Sequence, residues 1–252
     1  TVGSGQYLRH LLTHLTQVAP HHEYHLVLPR PADDSGRARG LTFHVHRPLV
    51  PPRLPRLHKL WFEQITFPRA CHALQADVAH VPHWGAPGRS PCPVVVTIHD
   101  LIPLLLPAYR GKWTMRAYIH LVSHTARRAQ AIIAVSQATA QDVVRHLRIP
   151  AGRVHVVHEG PPPDCRPVSA GEALAAVRQK YRLPERFFLY LGGFDVRKNL
   201  PTLLSAFALL KSNWPKSEPE PRLVVAGALP GADTPFKPDP RLIAQRLRIA
   251  SQ

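Results

Sequence analysis

Hydrophobic positions along the chain follow two alternating periods. Leu8, Leu11, Leu12, Leu15 and Val18 lie three or four residues apart, which is one face of a helix, and Pro20 ends the run. Residues 24–28 and 41–46 read as strands, separated by a polar, turn-rich loop at 29–40. Val50-Pro51-Pro52 breaks the second strand. Residues 54–74 predict a helix carrying Leu57, Leu60, Trp61, Ile65 and Phe67, kinked or divided by Pro68. Strands are predicted at 78–81, 94–98, 131–135 and 154–158, with a long helix at 109–128 and another at 137–147. Ser136 is placed to cap the latter. Further on come a helix at 171–181, a strand at 187–191, a helix at 200–211 and a loop at 213–221. A strand at 223–226 and a helix from Asp239 complete the pattern. Short apolar strands alternating with helices predict an α/β fold with parallel sheets covered on both faces. There is no internal repeat.

The texture changes at residues 159–167, where Glu159-Gly160-Pro161-Pro162-Pro163 opens a proline-rich joint. This divides the chain into a first domain over 1–163, a linker and connecting helix over 164–183, and a second domain over 184–252. Two strands are too few for a self-sufficient parallel sheet. The glycine turn at the start also opens a helix with no strand before it. The chain is therefore expected to be a piece of a longer protein.

Composition narrows the classes. A chain of 252 residues, 44% apolar and 19% charged, buries a core and is not disordered. No window approaches the ~20 apolar residues of a membrane span. The start lacks the basic and then apolar blocks of a secretory leader. Cys71, Cys92 and Cys165 are odd in number, widely spaced and free of any CxxC pair. That argues against a zinc site or disulfide framework and for a reducing compartment, here the cytoplasm. Charge changes the picture most: 32 Lys and Arg stand against 16 Asp and Glu, a net +16. Such a field attracts phosphate groups, nucleic acid or anionic lipid. The cations are spread rather than blocked, which weighs against nucleic acid.

Several runs carry candidate chemistry. Gly3-Ser4-Gly5 opens the first helix and reads either as a close approach to a phosphate or sugar, or as a plain turn. His99 and Asp100 fall where the strand at 94–98 ends, the edge at which parallel sheets bind ligands. A histidine there suits a sugar hydroxyl or proton transfer. The structural alternative makes Asp100 a turn cap and His99 a satisfied histidine. His80, His83 and Trp84 end another strand. The two histidines are three apart, which on a strand sends them to opposite faces and disfavours a metal. His83 and Trp84 suit the acceptor side of a sugar site, or Trp84 simply covers the sheet. The run from Tyr190 to Asn199 passes from strand through Gly192-Gly193 to Arg197 and Lys198, just ahead of a helix. Two cations beside a helix N-terminus favour a diphosphate. The helix at 54–74 interleaves aromatics and cations, as a face lying on an anionic membrane would.

Five segments resemble glycosyltransferase family 4, the retaining enzymes of the GT-B fold. GSGQYLRHLL at 3–12 resembles the family's glycine loop and first helix, and VTIHDLIPLLLP at 96–107 its HD segment. AIIAVSQATAQDV at 131–143 resembles its serine stretch, and VHVVHEGPPPDCRP at 154–167 its interdomain strand and linker. FLYLGGFDVRKNLPTLLSAFALL at 188–210 resembles the opening of its donor domain. The resemblance implies two Rossmann-like domains with a cleft between them, the second only partly present. It implies hexose transfer, mannose or glucose, from a GDP- or UDP-linked donor to a glycan or lipid-linked acceptor, with retention and no metal or cofactor. Arg197 and Lys198 would neutralise the diphosphate. Gly3, Gly5 and Gly193 would approach the donor, and His99 would contact the transferred sugar. Asp100 would orient that loop, with Ser136 and Glu159 near the donor. The family's paired-glutamate motif does not occur within these residues, so the fragment alone is expected to be inactive. The alternatives are a basic module on membrane or nucleic acid, or a half-enzyme subunit needing a partner. Peripheral contact at the inner face of the membrane is an expectation from charge.

Overall fold

The computed structural model describes residues 3–30, 41–46, 54–161, 165–168 and 171–250. Two compact units divide the chain, residues 1–164 and 165–252. Most of the loop expected at 29–40, the Val50-Pro51-Pro52 break, and Pro162 and Pro163 lie outside the described residues.

The first unit opens with α1 (Gly3–Val18), followed by β1 (Tyr24–Leu28) and β2 (Leu41–Val45). These two strands pair in parallel, Tyr24 opposite Leu41 through Leu28 opposite Val45. Next come α2 (Pro55–Trp61), a π-helical turn (Phe62–Thr66) and α3 (Phe67–Ala73). The expected helix at 54–74 is thus one helical run, but its irregularity precedes Pro68. That proline sits in the first turn of α3, where its missing N–H costs nothing.

A second, four-stranded parallel sheet has the order β3 (Ala79–Val81), β4 (Val94–Ile98), β5 (Ala131–Ala134), β6 (Val154–Val156). Helices α4 (Ile102–Leu105), α5 (Trp113–Ala126) and α6 (Gln137–Leu147) connect its strands. The expected helix at 109–128 is shorter than its apolar pattern, because Gly111 takes a φ of +61° that stops a helix there. Helix α4 is an element that the hydrophobic pattern did not predict. Pro103 lies in its first turn, which a helix accepts. The core is formed by Val96, Ile98, Ile132, Val143 and Leu147, all wholly buried. Cys71 lies in this core, and burial, then the nearby Cys92, pushes its thiol up to about 11, which makes it unreactive.

The second unit contains α7 (Glu172–Tyr181), β7 (Phe188–Leu191), α8 (Leu200–Ser212), β8 (Leu223–Ala226) and α9 (Pro240–Arg246). β7 and β8 pair in parallel, and Phe194, Leu200, Leu204 and Ile243 form the core under them. Among the described residues no helix is long and apolar enough to cross a membrane.

One polar group lies in the middle of the first unit's sheet. Thr97 is wholly buried, so its hydroxyl needs partners inside the protein. It has two: the Tyr7 hydroxyl at 3.1 Å and His80 Nε2 at 2.8 Å. Burial holds the His80 imidazole below its ordinary pKa. His44 on β2 is also held low, first by burial and then by the charges of His25 and His46, with His25 Nδ1 at 2.9 Å from His44 Nε2. Both histidines bind a proton less readily folded than unfolded, so acid favours unfolding.

Ile132→Ala, which empties a central position, should cost about 2–5 kcal/mol of stability in the first unit, measured by urea titration. The urea midpoint of the wild type should hold above pH ~6.5 and fall as pH drops below it. His80→Gln should flatten part of that fall.

Candidate functional site

The carboxyl ends of β3, β4 and β5 bring together side chains from distant parts of the sequence. His99 follows β4. Its Nδ1 lies 2.8 Å from Glu159 Oε1 and its Nε2 lies 3.1 Å from the Pro82 carbonyl oxygen. A carbonyl only accepts, so Nε2 carries a proton, and both bonds to acceptors form when both nitrogens donate. The ring is also met edge-on by Tyr7 of α1, with centroids 4.9 Å apart and planes at 88°. Gly3 and Gly5 form the first turn of that helix. Asp100 Oδ1 accepts from the Ile102 amide at 3.0 Å, which closes an Asx turn ahead of α4 and fixes the loop. Ser136 Oγ accepts from the Thr139 amide at 3.1 Å, capping α6, and the Thr139 hydroxyl donates to the His99 carbonyl at 3.1 Å. His99, Asp100, Ser136, Glu159 and the start of α1 therefore share one edge. Within it Ser136 caps a helix and Asp100 closes a turn, as their residue types predict.

His83 and Trp84 belong to the loop after β3 and do not meet His80. His80 turns to Thr97, while His83 Nε2 lies 2.9 Å from Glu63 Oε1. Glu63 stands in the π-helical turn and its side chain is only 3% exposed. The Tyr118 hydroxyl on α5 donates to both of its oxygens, at 2.9 and 3.0 Å. Lys59 Nζ stands 3.7 Å from Oε1 and 4.8 Å from the centroid of the Tyr118 ring. Burial, then the Glu63 charge, raises the Tyr118 phenol far above its ordinary pKa, so it stays a donor. The neighbouring Gln64 holds the same loop, donating to the Ala86 carbonyl at 3.0 Å and accepting from the Gly88 amide at 2.8 Å. Gly85 gives this contact its room: a β-carbon on it would run into Glu63 Oε1 and lie 2.8 Å from His83 Nε2, so one of the two would have to shift. Trp84 packs on the core, and its buried Nε1 has no hydrogen-bond partner among the described residues.

In the second unit, β7 ends at Gly192-Gly193. Tyr190 Oη donates to the Gly193 carbonyl at 2.6 Å. A β-carbon on Gly193 would meet nothing nearer than Asp195 Oδ2 at 3.6 Å, so the unit's own packing does not demand a glycine there. A 3₁₀ turn (Val196–Lys198) follows, and Asn199, in the left-handed conformation, stands at the N-cap position of α8. Arg197 Nε lies 3.2 Å from Asp195 Oδ1, a contact that steadies the guanidinium. Lys198 is exposed and forms no ion pair among the described residues.

The sequence reading missed Glu63, Tyr118 and Lys59. The available signal was an acid four residues after a lysine in an otherwise aromatic and basic helix. Among the described residues no three His, Cys, Asp or Glu side chains converge on a possible metal position.

Known proteins agree with this architecture. Over its whole length the chain superimposes on 64% of sucrose-phosphate synthase from Thermosynechococcus elongatus, with a TM-score of 0.66 at 19% identity, which gives it the GT-B fold. Serotype-specific mannosyltransferase WbdA of Escherichia coli is 30% identical over 162 residues, 64% of this chain and 18% of that protein. O-antigen chain mannosyltransferase B of Escherichia coli is 31% identical over 134 residues, 53% of this chain and 35% of that protein. The chain thus spans well under half the length of these relatives. The model of Glycosyltransferase Family 4 matches residues 2–164, more than half of the chain, and the chain belongs to that family.

Proposed function

We propose that the chain is the acceptor-side unit and the opening of the donor-side unit of a mannosyltransferase acting in polysaccharide synthesis. The reading takes mannose from the mannosyltransferase relatives and the division of labour from the family. The observation that carries it is the end of β7, where an unneeded glycine, a steadied arginine and an uncommitted lysine precede the N-terminus of α8. Developing negative charge on a leaving diphosphate is stabilised by fixed cations and by a helix N-terminus. Arg197 and Lys198 supply the cations, and Gly193 leaves the backbone bare for the approach of the donor. The donor is a GDP- or UDP-linked hexose. The acceptor hydroxyl attacks the face from which the diphosphate departs, with retention of configuration, and the acceptor is a glycan or a lipid-linked sugar.

His99 serves this reaction as a fixed ring beside the sugar rather than as a free base, because both its nitrogens are taken up by acceptors of the protein itself. Glu159 and the Pro82 carbonyl hold the ring, and Tyr7 packs against it. The excess of cations fits a cytoplasmic enzyme working beside an anionic membrane.

The test is Lys198→Ala in the enzyme encoded by the full reading frame, assayed for sugar transfer from GDP-mannose. kcat/KM for the donor should fall at least about 100-fold, the scale of losing one charge-stabilising group. The unfolding midpoint should stay the same, because the side chain is exposed. Unchanged turnover in the variant sinks the diphosphate assignment.

A further inference from the structure

The Glu63 cluster has a division between inside and outside. The carboxylate is 3% exposed, while the His83 and Lys59 side chains that reach it are 40% and 52% exposed. Glu63 is too deeply placed to touch a substrate, but it dictates what the exposed groups present. A carboxylate accepts, so the proton of a neutral His83 sits on Nε2, facing Glu63. Nδ1 is then left as an acceptor on the exposed ring. Tyr118, a donor held far from ionisation, satisfies both carboxylate oxygens and fixes the carboxylate plane. Lys59 presents donors beside the same oxygen, its charge offset by Glu63.

The cluster therefore offers one acceptor and one donor side by side with little net charge. That suits a neutral hydroxylated ligand better than a phosphate, which needs uncompensated cations. Two features show that the arrangement is built. Its residues come from α2, the π-helical turn, the loop after β3, and α5. A β-carbon on Gly85 would run into Glu63 Oε1 and crowd His83 Nε2, so the bare glycine leaves room for the Glu63–His83 contact.

We propose that Glu63, with Tyr118, is a positioning residue that sets His83 as a hydroxyl-accepting group, and that His83 and Lys59 read a hydroxyl of the acceptor sugar. This rests on the transferase reading above and adds to it which residues recognise the acceptor.

The test is steady-state kinetics of the full-reading-frame enzyme with GDP-mannose and mannotriose. Glu63→Gln lets an amide face His83 and releases the tautomer. The acceptor KM should rise about tenfold, the scale of one lost hydrogen bond, with kcat and donor KM held within about twofold. Glu63→Asp should recover part of the loss. Tyr118→Phe keeps the charge and volume and should raise the acceptor KM in the same selective way, so it carries the test should Glu63→Gln fail to fold. An unchanged acceptor KM in a folded variant overturns the proposal while wild-type transfer leaves the transferase reading standing. A parallel loss in kcat, acceptor KM and donor KM also overturns it, as the mark of a purely structural role. A wild type that transfers no hexose from GDP or UDP donors overturns the transferase reading and the proposal with it. Inorganic phosphate competing with the acceptor overturns the choice of a neutral ligand.

Discussion

The wholly buried hydroxyl of Thr97 is the constraint on which the candidate edge of the first unit depends. A parallel strand covered on both faces has no water to satisfy a polar side chain, so the protein must provide partners. The partners are Tyr7 from α1 and His80 from β3. Satisfying one hydroxyl thereby pins a helix and a neighbouring strand to β4. Tyr7, so pinned, lies against His99, two residues beyond Thr97. A core requirement thus becomes a site geometry: the first helix is held at the edge where the family's glycines are expected to work.

In each unit, taken by itself, carboxylates orient the candidate site groups. Acids are scarce in this chain, 16 against 32 basic residues, and those at the site each fix a group that would otherwise be mobile. Glu159 holds His99, Glu63 holds His83, and Asp195 holds Arg197. Buried or half-buried charge contacts of this kind contribute little net stability, since desolvation offsets much of the attraction. Their effect is orientation. The loop over residues 82–88 shows it best: Glu63 and Gln64 fasten its side chains and backbone from below, and its Pro82 carbonyl in turn holds His99.

How much of this was legible in the sequence depends on whether the cause was local. Strands β4, β5 and β7 announced themselves because unbroken apolar runs bounded by turns have few other uses. Ser136 was readable as a helix cap and Asp100 as a turn residue, since their partners lie two or three residues away. Arg197 and Lys198 stood out by adjacency to glycines and a helix start. Glu63 did not, because only Lys59 is near it in sequence, while its hydrogen-bond partners lie 20 and 55 residues away. The π-helical turn that aims it has no sequence mark of its own. The same limit applied to the helix expected at 109–128, where apolar periodicity outweighed Gly111 until its positive φ was visible.

The two ends of the proposed reaction differ in how charge is treated, and the difference follows from the ligands. At the end of β3 the cation Lys59 and the imidazole of His83 both lean on a carboxylate, leaving a nearly neutral pair of a donor and an acceptor. Such a pair gains little from a phosphate but matches a sugar hydroxyl, which both donates and accepts. At the end of β7 one acid steadies one of two cations, and Lys198, ahead of a helix N-terminus, forms no ion pair among the described residues. A diphosphate needs that surplus, and needs more of it as the bond to the sugar breaks and charge builds on the leaving oxygen. Interchanging the two arrangements would oblige a neutral sugar to desolvate a bare ammonium and a diphosphate to face Glu63. On the proposed reading, local charge balance, more than the overall +16, distinguishes the acceptor side from the donor side.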